Sequence, residues 1–474
     1  MLEPAAMHLS GASASARSVP DEVAAGHSRR TAWLSVLATI GAVIVVHGVD
    51  LRYRLVFDDF AWLRNPPSGF GEILRALLPT KSGTAVYRPF LTLWFGAMKT
   101  VFGIDPLPYH VFALGAIVAA ALAVRWLALR LGLRNLPATI SGIVVGTHGA
   151  LAITTMWASC TQSSMMIAFA AVAIATVQQP RPPGWRRQAL AALLLVAAIV
   201  CRDSAVVVPA LATIFLLARR GSRVRLTSAM QSTAGLWLVA VGYGSVRVVN
   251  GHHHPAPDDP YRLSVGRHVV SNTYSLMTYA GRFGVARSGA KSELIVMTAI
   301  VLTFWLGLIG GAVWAWLRHD HLPAAGLACF FVGIVPFVGL TAHAIETYYI
   351  EVGVIGLAIA IGALLDVTPL RPWVLIGFAV VFVLVQVVAV QFVHSRHWIR
   401  TSIARTDVLE DYARRTPIHD GILIVEEACA SDRVLTRDGA MFQLLLDKPD
   451  LRVRFDVLEP GATPTTRWGC RDGS

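Results

Sequence analysis

The run Thr31-Ala32-Trp33-Leu34-Ser35-Val36-Leu37-Ala38-Thr39-Ile40-Gly41-Ala42-Val43-Ile44-Val45-Val46-His47-Gly48-Val49 decides the fold class. Its length is close to the ~20 apolar residues that a helix needs to cross a bilayer, and His47 is its sole titratable side chain. It begins too far in and runs too long for a cleaved leader, and no small-residue cleavage pattern follows it. Ten more apolar runs come after it: Pro108–Leu129, Pro137–Met156, Thr161–Val177, Gln188–Cys201, Ala205–Ala218, Ser228–Val248, Glu293–Leu317, Leu322–Ala342, Ile350–Leu365 and Trp373–Val393. A chain of 474 residues that is 55% hydrophobic and 15% charged, with a mean hydropathy of +0.57, holds more apolar surface than a soluble core can hide. The expectation is an α-helical polytopic membrane protein of about eleven spans with a small C-terminal α/β extracytoplasmic domain.

The net charge of +12 would suggest nucleic acid in a soluble protein. Here the basic residues sit in short turns: Arg134; Arg181, Arg186 and Arg187; Arg219, Arg220, Arg223 and Arg225; Arg318; and Arg371. Such turns mark the cytoplasmic face, so anionic membrane lipid replaces nucleic acid as the expected partner. The same rule places the protein in the cell membrane as a multi-pass chain, its N-terminus cytoplasmic and its C-terminus extracytoplasmic. Residues 1–30 read as a disordered cytoplasmic tail, 31–393 as the transmembrane domain with long outer loops at 50–107 and 250–292, and 394–474 as the outer domain. In that domain Trp398–Arg415 has helical character, and Gly421–Val425 and Leu451–Val457 read as strands. Arg88–Gly103 is amphipathic and short for a span, with Trp94, Phe95 and Phe102 as packing aromatics.

Directly after the first run comes Val56-Phe57-Asp58-Asp59-Phe60-Ala61-Trp62, then Tyr87-Arg88-Pro89-Phe90 and Tyr109-His110. Ionisable groups at the edge of a bilayer cost free energy unless they serve something, so this loop is the expected reaction centre. Other polar groups fall on the same outer side in this topology: His148 with Trp157 and Gln162, the turn Arg202-Asp203-Ser204, and the group His343, Glu346, Tyr348 and Tyr349. Taken singly, each reads best as an interfacial residue of the aromatic and polar belt. Among the five cysteines, Cys160, Cys201 and Cys329 read as small apolar filler, and Cys429 with Cys470 could form a disulfide in an oxidising compartment. His252-His253-His254 with Asp258-Asp259 lies in a Pro-rich loop without helical spacing, and no metal is assigned to it.

In order, the chain carries FDDF, YRPF-x3-WF, FG-x4-PYH, HG-x7-W-x4-Q, RDSAVVVP and E-x-YYIEVGVIGL. That series resembles the GT-C superfamily of integral-membrane glycosyltransferases, nearest to the protein O-mannosyltransferase, TMTC-like and RgtA/B/C/D-like branch. The likeness covers most of the chain up to about Leu365. It departs at the RDS turn, where the family often has Lys or Glu. The resemblance implies transfer of a sugar from a polyprenyl-phosphate-linked donor to a glycan, lipid or protein acceptor on the outer side, with inversion at the anomeric carbon. It makes Asp58 the base and Asp59 a coupled partner that orients the acceptor or holds a divalent metal. Tyr87, His110, His148, Gln162, Asp203 and Glu346 would bind substrate. Arg88 and Arg202 would take the leaving phosphate, assisted by His343, Tyr348 and Tyr349. Two other readings compete: a transporter or lipid flippase, which calls for charges within the spans and an internal repeat, and a scaffold without catalysis.

Overall fold

In the computed structural model the described residues are 21–64, 66–67, 69–78, 88–179, 183–220, 224–249, 263–282, 291–341, 345–392, 400–418, 420–428, 432 and 436–457. They form helices almost throughout. α1 (Asp21–His47) runs into a tight turn, Gly48–Arg52, and is followed by the short α2 (Asp58–Arg64), α3 (Phe70–Leu77) and α4 (Pro89–Phe102). The bundle continues with α5 (Pro106–Arg130), α6 (Asn135–Thr147), α7 (Ile153–Met156), α8 (Thr161–Val177), α9 (Trp185–Cys201), α10 (Val208–Ala218) and α11 (Leu226–Val249). It closes with α12 (Arg267–Gly281), α13 (Lys291–Leu317), α14 (Leu322–Val338), α15 (Gly353–Val367) and α16 (Pro372–Val387).

Among the described residues six helical segments are long and apolar enough to cross a membrane: Arg30–Arg52, Pro106–Arg130, Ala158–Val177, Leu226–Val249, Ile295–Leu317 and Pro372–Phe392. A seventh arises if α6 and the bent segment Gly149–Met156 are one broken span, and the helices Asp203–Ala218, Leu322–Val338 and Gly353–Val367 are apolar but shorter. Many large apolar side chains on α11, α13 and α16 face outward, Leu238 at 75%, Leu302 at 57% and Val381 at 61% exposure among them. Burying such surface in hydrocarbon removes it from water, which makes a lipid-facing role the physically economical one.

Two expectations are corrected. The tail was expected to be disordered to residue 30, yet α1 begins at Asp21. Glu22, Ala24 and Ala25 are good helix formers, and an established helix adds residues far more easily than it nucleates. The outer segment 250–292 was expected to be a loop, yet it contains α12. Asn272 donates through Nδ2 to the carbonyls of Val338 (3.1 Å) and Leu340 (2.8 Å), and an isolated bridge joins Leu263 to Leu340. These contacts fix α12 against the end of α14.

Helices α14 and α15 approach so closely that glycine is required between them. A Cβ on Gly333 would stand 2.4 Å from the Gly353 nitrogen, and one on Gly356 would stand 2.4 Å from the Phe330 nitrogen. Nothing larger than hydrogen fits at either place. At the opposite end of the bundle from α2, turns far apart in sequence are joined by ion pairs. Arg134 Nε lies 2.5 Å from Asp366 Oδ1, and Arg220 binds both Asp366 and Asp320. Four turns that the sequence read as one face therefore do meet.

The C-terminal unit comprises α17 (Arg400–Arg415), β1 (Ile422–Ala428), α18 (Ala440–Leu445) and β2 (Arg452–Val457). The two strands pair in parallel, Ile422 opposite Arg452 and Val425 opposite Phe455. The unit does not stand apart from the bundle. Leu409, Leu423, Met441 and Phe442 share one apolar cluster with Phe60, Leu63, Leu91, Trp94 and Phe95. Burying apolar side chains at ~25 cal/mol per Å2 is the main force holding the unit on α2 and α4.

Candidate functional site

The site is built on α2. Phe57 adopts φ +51°, a left-handed conformation that a bulky residue rarely takes, and the chain turns there so that Asp58 and Asp59 open the helix. Lys99 of α4 donates from Nζ to the Leu63 carbonyl at 2.9 Å and secures the far end of α2. α4 can lie this close because its Gly96 faces Pro66 and Pro67. α5 starts at Asp105-Pro106, the Asp105 side chain accepting from the Leu107 N–H at 3.1 Å, and brings Tyr109 under the acid pair.

The two acids are not equivalent. Asp59 is fully buried, and its oxygens accept from the Val56 N–H (3.0 Å), the Ser159 N–H (2.8 Å) and the Ser159 hydroxyl. Burial pushes its carboxyl up from 3.8 to about 7; the Ser159 and Val56 hydrogen bonds oppose that rise, and the nearby Asp58 charge adds to it. This corrects the expectation for Asp59: it anchors α2 to the turn before α8 and is closed to an acceptor. Asp58 points out, its side chain 30% exposed, with Oδ1 3.0 Å from Nη1 of Arg437 in the C-terminal unit. Trp157 packs edge-on to Phe57 beside it.

Arg202 leaves the end of α9 in an extended conformation and turns inward. Its Nε lies 2.9 Å from Glu351 Oε1 and its Nη1 donates to Ser163 Oγ at 2.8 Å, while Ser204 donates to the same Glu351 oxygen at 2.6 Å. The rings of Tyr348, Tyr349 and Phe337 surround the guanidinium at 4.9, 5.2 and 5.6 Å. Arg202 is therefore held in a buried ion pair, which corrects its assignment to a leaving phosphate; Tyr348 and Tyr349 are buried walls of that pair. The two groups are tied to one stretch of chain, Ser159 holding Asp59 and Ser163 holding Arg202. The charges of Arg202, Arg88, Asp59 and Asp58 all fall on the Cys160 thiol, and Arg88 also acts on Tyr348.

Other expected residues go elsewhere. His110 is buried against the Thr155 carbonyl (3.0 Å). Thr155 in turn donates to Asp50 Oδ2 (2.7 Å), which lies 3.2 Å from His47 Nδ1. His148 uses both ring nitrogens, Nε2 on the Ala280 carbonyl (3.1 Å) and Nδ1 accepting from the Ala150 N–H (3.2 Å). It clamps α12, which corrects its substrate role. Gln162 is buried next to Ser163, its Oε1 without a hydrogen-bond partner. Asp203 is half-buried and acts on Glu351, and Glu346 acts on Tyr279 of α12. Tyr87, His343, Cys429 and Cys470 and the His252–Asp259 stretch lie outside the described residues. Cys160, Cys201 and Cys329 are buried free thiols.

Three residues at the centre of this arrangement were not singled out. Glu351 stood in plain sight within E-x-YYIEVGVIGL, whereas Ser159 and Arg437 carry no local signal. Among the described residues no group of three His, Cys, Asp or Glu side chains could hold a metal. With Asp59 buried under three donors and Asp58 paired with Arg437, the acid pair does not fit a divalent ion.

A scan against protein-family models finds no match, and a search of curated proteins finds no relative.

Proposed function

We propose that the chain is a GT-C-type membrane glycosyltransferase that moves a sugar from a polyprenyl-phosphate donor to an acceptor hydroxyl. One observation carries the reading: an outward-facing carboxylate, Asp58, heads α2 at the end of the bundle opposite the Arg134–Asp366–Arg220 cluster, and α4 opens directly after Arg88 at that same end. The acceptor oxygen attacks the anomeric carbon as its proton passes to Asp58. The bond from that carbon to the phosphate oxygen breaks, the electron pair leaves with the phosphate, and the anomeric centre inverts. Arg88 neutralises the charge gathering on the departing phosphate. Arg202 and Glu351 act at one remove, fixing the ring of Tyr348 against the Arg202 guanidinium. In this reading the eleven apolar segments are all spans, α6 and α7 forming one broken span. The Arg-rich turns lie in the cytoplasm, and the acid pair and C-terminal unit lie outside.

The purified protein incubated with radiolabelled polyprenyl-phosphate sugars and membrane extract tests this. The wild type should release free polyprenyl phosphate and label an acceptor, and Asp58→Asn should do neither. Equal labelling by both proteins would remove Asp58 from the mechanism.

A transporter is the second reading, favoured by the buried His47, Asp50 and Thr155 set between α1 and α7 and by Arg125, buried within α5 against Thr139 and Asn135. Accumulation of a substrate in proteoliposomes without cleavage of any donor would select it.

A further inference from the structure

Thr436-Arg437-Asp438-Gly439 forms the tip of the C-terminal unit nearest α2. Arg437, Asp438 and Gly439 take φ values of +51°, +53° and +89° in succession. Glycine adopts this conformation freely, but each L side chain there crowds its Cβ against the following carbonyl oxygen. The fold braces the turn from beneath. Thr436 is buried and accepts from the Met441 N–H at 3.1 Å. Its hydroxyl donates to the Asp432 carbonyl at 2.8 Å, and Asp432 is gripped by two nitrogens of Arg405 (2.9 and 2.6 Å). Gly439 is wedged against Val453, where a Cβ would meet that side chain at 2.6 Å. α18, directly after the turn, packs on α2 through Met441 and Phe442.

All this places the Arg437 guanidinium, 51% exposed, on Asp58. Asp58 opens α2 directly after the left-handed Phe57, and Arg437 is itself left-handed, so the chain is strained at Arg437 and next to Asp58. An ion pair this exposed contributes little to stability and does not repay that strain. The geometry instead serves something that occupies the pair. Its charges cancel, it offers acceptor oxygens and N–H donors side by side, and Phe57, the residue before Asp58, packs edge-on to Trp157, both rings being only partly buried. This is the chemistry that reads an uncharged polyhydroxylated ligand: hydroxyls bridge carboxylate and guanidinium, and the apolar face of a sugar ring rests on an aromatic ring.

We propose that Arg437 binds the acceptor, a neutral glycan, and that the C-terminal unit forms the acceptor wall of a site whose donor wall is the bundle. The inference rests on the glycosyl-transfer reading for the word acceptor, and on the Asp58–Arg437 juxtaposition for the glycan.

The test uses the full chain in lipid nanodiscs. Binding of neutral mannan, arabinan, galactan and glucan fragments is followed by saturation-transfer NMR, and binding of radiolabelled polyprenyl phosphate is measured in parallel. One of the neutral fragments should bind at least tenfold more weakly to Arg437→Ala than to wild type, with Arg437→Lys in between. Polyprenyl phosphate should bind all three alike. Arg414→Ala, which removes an exposed pair with Glu410 on α17, should change neither, and thermal melting reports whether each variant is folded. Glycan binding unaffected by Arg437→Ala, binding of no neutral fragment, or parallel loss of polyprenyl phosphate would each overturn the proposal. The glycosyl-transfer reading fails by a different result, donor left intact by the wild type, and Arg437-dependent glycan binding would survive it.

Discussion

Two ion pairs sit at the same end of this molecule and live under opposite rules. Arg202 and Glu351 are 5% and 0% exposed, locked by Ser163 and Ser204 and enclosed by three aromatic rings. Arg437 and Asp58 are 51% and 30% exposed and join two parts of the chain, Arg437 on left-handed backbone and Asp58 directly after the left-handed Phe57. In the first, each charge is the other's counter-ion and two serines and three rings complete its replacement for water, so the pair is architecture. In the second, water reaches both partners and a ligand can too, so the pair is free to change hands. The contrast teaches that a conspicuous arginine next to a membrane is no guide to ligand binding until its counter-charge is found.

The contrast can be attacked from its exposed side first. Asp58→Asn should lower sugar transfer by about 10²- to 10⁴-fold, the usual worth of a positioned base, while leaving the melting temperature in detergent almost unmoved. A large drop in melting temperature would show that Asp58 is architecture as well. Glu351→Ala should do the reverse: an uncompensated buried guanidinium costs about 3–5 kcal/mol, seen as a sharp loss of thermal stability. Replacing both partners, Arg202→Met with Glu351→Leu, should recover most of it, and failure to recover would mean that the pair is held for more than its charge.

Asp59 gives a smaller and more selective signal. Burial lifts its carboxyl from 3.8 to about 7, so the fold favours the neutral acid. Its contribution to stability is complete below pH 4 and is lost as the pH climbs through 7. Melting curves of wild type should therefore shift downward across pH 4–7 relative to those of Asp59→Asn, which has no proton to lose; parallel curves would contradict the buried-acid picture. The smallest effect belongs to Arg54, whose exposed contacts with Asp407 (3.1 Å) and Glu410 (3.6 Å) also join bundle and C-terminal unit. Arg54→Ala should cost under about 1 kcal/mol, and high salt should mask it.

Much of this was legible in the chain. Continuous apolar runs betray helices because nothing else satisfies a backbone in hydrocarbon, and each of the eleven runs coincides with a helix or the bent α6–α7 pair. α12 was not legible, since Arg267–Gly281 mixes Ser, Asn and Thr with its apolar residues and becomes a helix through packing on α14. At the site, Asp58 and Arg88 could be read because charge next to a span is costly. The separate fates of Asp58 and Asp59 could not, because a single serine from the turn before α8 decides them. Arg437 was hidden for a plainer reason: its partner lies almost a whole chain away, and strand pairing and core packing alone bring the two together.

The seam of missing methyl groups between α14 and α15 bears on all of this. Glu351 and the two tyrosines sit at the mouth of that hairpin, so the spacing of its two rods sets how deeply the carboxylate reaches toward Arg202. Adding a single carbon at Gly333 or Gly356 would spread the rods, and the tremor would be felt at a carboxylate that neither glycine touches.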